Sequence, residues 1–310
     1  MASKKFTLLM AMIIFGVTAG YSQLGGILNY HDSTKISEKK LPQFNEWKNN
    51  QHPFPPVPRH MAQWSIFGGM SLLDGDTPPL PGWQVGASVR KALGYTVSLR
   101  GSLAYGINKG LDYRPNGYTY NNPAIAGVPY FIANHRTELI MSSLDMIFSI
   151  NNIMFHRANS KVNAYLFLGY SPFAYKTMMD LQDANKAVYN WDQRISNPTS
   201  FFDQSRKDIR DFLKNDANGF DGTYETPAMV NDRRGNFGNE ERDAWQWRHA
   251  YTFGGGLEFR LAPRMSLSLE AKYTKTPDDY IDGWYLGEAG ALTPEKDNFF
   301  FTNVGLNFNF

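Results

Sequence analysis

The chain has 310 residues, 42% hydrophobic and 15% aromatic, with a formal net charge of +2 and no cysteine. Without cysteine there is no disulfide framework, thiolate metal site, thiol nucleophile or lipoprotein anchor. Near-balanced charge, with both signs interspersed, excludes a nucleic-acid partner; a mean hydropathy of −0.43 suits a strand-built barrel with a polar lumen better than a helical membrane protein.

Residues 1–22 carry Lys4 and Lys5, an apolar run over 6–17, then Ala19, Gly20 and Ser22. This is the pattern of a secretory signal peptide cleaved before Gln23. The run of about a dozen apolar residues is short of the ~20 that cross a bilayer as a helix, and no other segment is long and apolar enough. An exported chain of this kind that spans a membrane must do so with strands. Residues 23–60 are polar and end in HPFPPVPRH (52–60), which reads as an extended periplasmic linker. The alternative is a docking segment in which Phe44, Trp47 and Phe54 fill pockets on a partner or at the barrel mouth.

From residue 61 onward, alternating strand patterns and connections follow. Strand one is predicted over 63–72, with Trp64, Ile66, Met70 and Leu72 on one row. Asp74, Gly75 and Asp76 with Pro78, Pro79 and Pro81 predict a loop that cannot continue a ladder. Strand two covers 83–93, with Trp83, Val85, Ala87 and Val89 opposite Gln84, Gly86, Ser88 and Arg90. Gly94 marks a tight turn into strand three, 95–109, and a long loop leads to strand four, 136–150. Strand five, 161–173, is apolar on both faces, so its orientation stays open. A loop of about 175–246 follows, then strand six (247–261), a tight turn at Ala262, Pro263 and Arg264, strand seven (265–276) and a further loop. In the last strand, 299–310, Phe300, Thr302, Val304, Leu306, Phe308 and Phe310 alternate with Asn303, Gly305, Asn307 and Asn309. An aromatic carboxy terminus on an exported chain marks the closing strand of an outer-membrane barrel, with Phe308 and Phe310 as the assembly signal.

The count is about eight strands, each of at least the roughly 9–11 residues that cross a bilayer at a tilt. Connections alternate between short and long, as between periplasmic turns and external loops. The predicted fold is therefore all-β: an eight-stranded antiparallel transmembrane β-barrel over 61–310 with long external loops, one containing a short helix. Both termini are expected in the periplasm. The stretches GGMSLLDGDTPP (68–79) and GASVRKALGYTVSLRGSLAYGINKGLDY (86–113), with the aromatic terminus, resemble the barrel of OmpA-type outer-membrane proteins of Bacteroidota. The resemblance covers the barrel strands alone. Since the chain stops at Phe310, no peptidoglycan-binding domain is expected.

With apolar rows facing lipid, Arg90, Arg100, Asp145, Glu258, Arg260, Glu270 and Lys272 are predicted to form an ionic network inside a closed lumen. Trp64, Trp83, Tyr95, Tyr105, Tyr251 and Tyr273 are assigned to the interfacial aromatic girdle. Loop tryptophans Trp191, Trp245 and Trp284 offer a sugar platform as an alternative use of aromatics. In the large loop, Pro198 with Thr199 or Ser200 starts a helix whose Phe202, Ile209, Phe212 and Leu213 share a face, predicting a helical cap.

Asp216, Asn218, Asp221 and Glu225 resemble a calcium loop, but Phe220 stands where an oxygen ligand belongs. Turn formation and solvation account for them, and for Asp278, Asp279 and Asp282, so no metal or cofactor is expected. His135, Glu138, Asp243 and His249 are the rim residues from which catalysis could be built, yet no serine stands in a nucleophile setting and no catalytic residue is assigned. The function expected is non-enzymatic: a structural or scaffolding barrel, or an accessory subunit of a larger outer-membrane complex, in contact with outer-membrane lipid and a protein partner. The alternative is a lipid- or peptide-modifying enzyme or a small-solute channel.

Overall fold

A computed structural model describes residues 33, 36–52, 62–94, 96–117, 122–125, 127–152, 161–183, 185–215, 217–228, 245–262, 264–285, 293 and 296–309. The signal sequence, the Pro-rich run 53–60, Tyr95 and Phe310 lie outside these residues.

Eleven strands form one sheet: β1 (Ala62–Asp74), β2 (Pro79–Ala92), β3 (Val97–Leu111), β4 (Asn134–Ser149), β5 (Val162–Tyr170), β6 (Phe173–Met179), β7 (Thr226–Pro227), β8 (Gln246–Arg248), β9 (Tyr251–Ala262), β10 (Met265–Lys275) and β11 (Asn298–Asn309). Eight of them, in the order β1, β2, β3, β4, β5, β9, β10, β11, close into an antiparallel ring. The seam is the β1–β11 ladder, which runs from Gln63 opposite Asn309 to Asp74 opposite Asn298. Closure leaves the ring without an exposed edge.

Exposure decides which way each row points. Val89, Leu103 and Val304 are 61%, 59% and 52% exposed, whereas Ser88, Ser143 and Asn307 are 7%, 6% and 4%. Apolar rows therefore face outward and polar rows inward, the reverse of a soluble barrel. Among the described residues, no helix is long and apolar enough to cross a membrane.

Three details depart from the sequence pattern. Pro79 and Pro81 belong to β2, not to a loop: Pro79 is its first residue, and Pro81 sits in an irregularity between Leu80 and Trp83. At both places the missing N–H costs the ladder nothing, so the first loop shrinks to residues 75–78. Strand five bends at residues 171–172 and continues as β6 to Met179, so the large loop begins later than residue 175. β4 pairs with β5 near its turn end and with β6 near its loop end, which raises the wall on that side. Within 23–60, the described part is helical rather than extended: α1 (Leu41–Lys48) has Pro42 in its first turn and buries Phe44.

The two apolar faces of β5 now have separate explanations. Leu166, Leu168 and Tyr170 point outward, while Tyr165 and Phe167 turn inward. The inward rings lie over Gly256 and Gly254 of β9, where an added Cβ would come within 2.6 Å of the Tyr165 hydroxyl and of Phe167 Cζ respectively. Glycine is required there to leave room for aromatic filling.

At the loop end, residues 112–133, 180–245 and 276–297 carry the long connections. The second holds α2 (Trp191–Arg194), α3 (Pro198–Phe202) and α4 (Arg206–Asn215), so the single expected helix is two, broken at 203–205. Asn197 caps α3 by accepting the Ser200 N–H, and Ser205 caps α4 by accepting the Asp208 N–H at 3.2 Å while its hydroxyl donates to the Asp208 carboxylate. Ile209 and Leu213 of α4 are buried in a cap core with Ile125, Phe131, Leu181, Trp191 and Trp284. Phe202 and Phe212, predicted on the same face, pack at its margin.

Candidate functional site

The lumen is the first place to look for a path or a pocket. At its turn end, Arg90 Nη1 meets Glu258 Oε2 at 3.4 Å, and Gln63 Nε2 donates to Glu258 Oε1 at 2.7 Å. One level further in, Arg100 bridges two carboxylates, Asp145 Oδ2 at 3.0 Å and Glu270. The Tyr165 hydroxyl donates to Glu270 Oε1 at 2.5 Å, and the Arg100 guanidinium sits 4.7 Å from the Phe167 ring centre. Each charge thus has a partner of opposite sign and at least one further polar or aromatic contact, the condition for keeping ions out of water. The space left among these groups is about 20 Å³, room for about one water molecule.

Above this layer the filling turns apolar. Lys272 is buried with its Nζ 3.6 Å from Met141 Sδ and 5.5 Å from the Phe301 ring centre. Leu73, Leu139, Met141, Phe173, Phe299 and Phe301 then occupy the cross-section, with Phe299 stacked on Phe301 at 5.7 Å and edge-on to Phe173 at 5.6 Å. Ile281 of the loop over 276–297 joins this layer.

Of the seven predicted lumen residues, five form ion pairs. Lys272 is held instead by a ring and a sulfur, because its strand position lifts it into the apolar layer. Arg260 lies on the inward row at the turn end, half-buried and outside the network. Sequence reasoning missed Gln63, Tyr165 and Phe167; an aromatic pair facing Gly254, Gly255 and Gly256 was the available signal.

No family model matches the chain. No curated protein matches it either. Among solved structures it is similar to a major outer membrane protein from Thermus thermophilus (12% identity, TM-score 0.40, covering 81% of this chain and 100% of that one). It is also similar to the outer membrane protein OprG from Pseudomonas aeruginosa (9% identity, TM-score 0.39, 81% and 97%) and to the outer membrane enzyme PagL (10% identity, TM-score 0.29, 80% and 99%). At 9–12% identity these likenesses leave function to be read from the residues.

The rim candidates take separate partners. Glu138 pairs with Arg136 at 3.3 Å on the outer face, while His249 stacks on Tyr170 and hydrogen-bonds its hydroxyl. His135 is not at a wet rim: it is fully buried, and neither ring nitrogen has a hydrogen-bond partner among the described residues. Asp243 lies outside the described residues. Trp191 and Trp284 are 1% and 3% exposed in the cap core, which removes them as a sugar platform; Trp245 alone remains exposed.

Of the outer aromatic residues, Trp64, Tyr251 and Tyr273 stand near strand ends, whereas Tyr105 lies near the middle of β3. Trp64 stacks on Phe308 at 4.4 Å where β1 and β11 meet at the turn end. Trp83 packs edge-on to Tyr105 at 5.9 Å, and Tyr273 contacts Phe253 at 5.2 Å; Tyr251, on the loop side, is 70% exposed.

Two acidic groups outside the spanning strands are unusual. Asp282 accepts the Thr77 N–H at 2.9 Å and the Trp284 N–H at 2.8 Å; Asp297 accepts the Ile281 N–H at 2.6 Å. Asp297 Oδ1 and Asp282 Oδ2 both press on the space beside Gly75. Burial, then Asp76, pushes Asp282 up to about 8; burial, then Asp282, raises Asp297 well above the carboxylate range. Burial and the neighbouring carboxyls thus favour the protonated form at both positions. The second group is Asp180, Asp221 and Glu225, whose ligating oxygens lie within 4.8 Å of one another.

Proposed function

We propose that this protein is a closed, non-enzymatic outer-membrane barrel of the OmpA-like kind. Its role is structural, or that of an accessory subunit in a larger outer-membrane assembly. The turn end, with both termini, faces the periplasm, and the cap faces outward. The outward apolar rows with aromatic residues near their ends support a lipid-embedded position.

The observation that carries the reading is the double seal of the lumen. Paired ions leave space for about one water, and a layer of packed rings lies above them. Among the described residues, these two layers leave no open path along the lumen. What remains for function is the elaborated surface at the two ends: the cap of three loops and the amino-terminal segment with α1. A surface of that kind serves contacts with another protein.

The test is reconstitution in planar bilayers alongside affinity purification from detergent-solubilised membranes. The expected result is the absence of stable stepwise conductance together with one stoichiometric membrane or periplasmic partner. Large, stable conductance steps, or lipid turnover by the purified monomer, would overturn the reading.

A further inference from the structure

The Asp180, Asp221 and Glu225 group joins two parts of the chain that sequence keeps apart. Asp180 directly follows β6, the strand that raises the barrel wall. Its backbone is clamped by Asn134 of β4, whose Oδ1 accepts the Asp180 N–H at 2.8 Å and whose Nδ2 donates to the Asp180 carbonyl at 2.9 Å. Asp221 and Glu225 come from the segment after α4, where left-handed backbone at Gly222 (φ 78°) and Tyr224 (φ 49°) folds the two acids toward one point. Glu225 Oε1 is fixed by the N–H groups of Leu181 and Gln182 at 3.1 and 2.7 Å.

Three carboxylates so placed repel one another. Among the described residues no lysine or arginine pairs with any of them. Asp180 is 1% exposed; its Oδ2 accepts the Gly222 N–H at 2.8 Å, while its Oδ1 is buried with no hydrogen-bond partner among the described residues. The Tyr189 hydroxyl, which accepts the Asp221 N–H at 3.0 Å, also lies beside this carboxyl and brings no charge to it. A buried carboxylate oxygen left without a donor is costly and calls for a positive group at that point. Thr223 cannot supply it: its single hydroxyl proton is already placed between Asp221 Oδ1 at 2.7 Å and Glu225 Oε2 at 2.9 Å.

We infer that Asp180, Asp221 and Glu225 bind a calcium ion that latches the cap to the barrel wall. Oxygen-only donors select a hard cation, and ligand atoms within 4.8 Å of one another fit around a centre with bonds of roughly 2.3–2.6 Å. Calcium accepts several carboxylates in irregular geometry, whereas magnesium keeps most of its water and is rarely caged by three acids. The remaining coordination positions fall to water and backbone carbonyls. The ion would join β6 to the segment that follows α4.

The experiment uses the full-length protein in detergent, stripped with a chelator and titrated with terbium, whose luminescence is sensitised by nearby tyrosine and tryptophan. Displacement by calcium or by magnesium is then followed. Asp180→Asn, Asp221→Asn and Glu225→Gln are compared with the exposed-surface control Asp211→Asn. The expected result is one saturable terbium site per chain, displaced by calcium at concentrations at least tenfold below magnesium. It is weakened at least tenfold in each of the three variants and unchanged in the control. Calcium should also slow proteolysis within 180–245 in the wild type and not in Glu225→Gln. Absence of saturable uptake by the wild type, equal uptake by the three variants, or preference for magnesium would overturn the inference. If Asp180→Asn fails to fold, the other two variants decide it.

Discussion

The ion-paired turn-end half of the lumen and the cap core are both largely buried, yet they are filled by opposite chemistry. The lumen layer is made of Arg90, Arg100, Asp145, Glu258 and Glu270 in paired contacts, whereas the cap core is made of Phe131, Trp191, Ile209, Leu213 and Trp284. The cause is the solvent on the far side. In the spanning strands one row already faces lipid, so at the turn end the inward row is polar and directional ion pairing specifies the interior. The cap stands in water, where removing apolar surface drives association. Lys272 marks the boundary, a charge at the edge of the apolar layer with a ring and a sulfur for company.

That contrast can be broken region by region. The largest effect is expected from Arg100→Met, which leaves Asp145 and Glu270 facing each other without their common partner. The loss should be about 3–5 kcal/mol of barrel stability, read from the denaturant midpoint in detergent micelles. In the cap, Phe131→Ala removes a ring that touches Trp191, Phe220 and Trp284. A cost of about 3 kcal/mol is expected, confined to the loops: faster proteolytic nicking there with the barrel midpoint unchanged. A shift in both measurements would show the two regions to be one cooperative unit.

The smallest effect concerns pH. Asp282, with its pKa raised to about 8, keeps a proton in the folded state that the unfolded chain releases near pH 4. The folded state is the better proton binder between these values. Cap stability should therefore fall as pH rises from about 4 to about 8 and stay level outside that window. Asp297→Asn removes the neighbouring carboxyl and offers an amide donor near Asp282, so the slope across that window should flatten in a thermal-melt series.

The barrel was legible in the alternation of its strands because a period of two is a local property. Any strand with lipid on one side and side chains on the other must show it. The lumen charges on β2, β3, β4, β9 and β10 could be assigned inward on the same ground, although not their pairing. Arg260 and Lys272 show the limit, since a row says which way a residue points but not which layer it reaches. Pro79 and Pro81 misled because proline's effect depends on whether its N–H faces a partner, and that depends on the neighbouring strand.

Strand number, the direction of every row except that of β5, and the existence of a helical cap were thus set by residues close together in the chain. Only the folded molecule decided that Tyr165 and Phe167 lie over glycines of β9, that Trp191 and Trp284 are core rather than surface, and that Asp180 stands beside Asp221 and Glu225. These contacts join residues tens to more than a hundred positions apart. No periodicity records them, because the meeting of two distant segments is fixed by ring closure and loop packing.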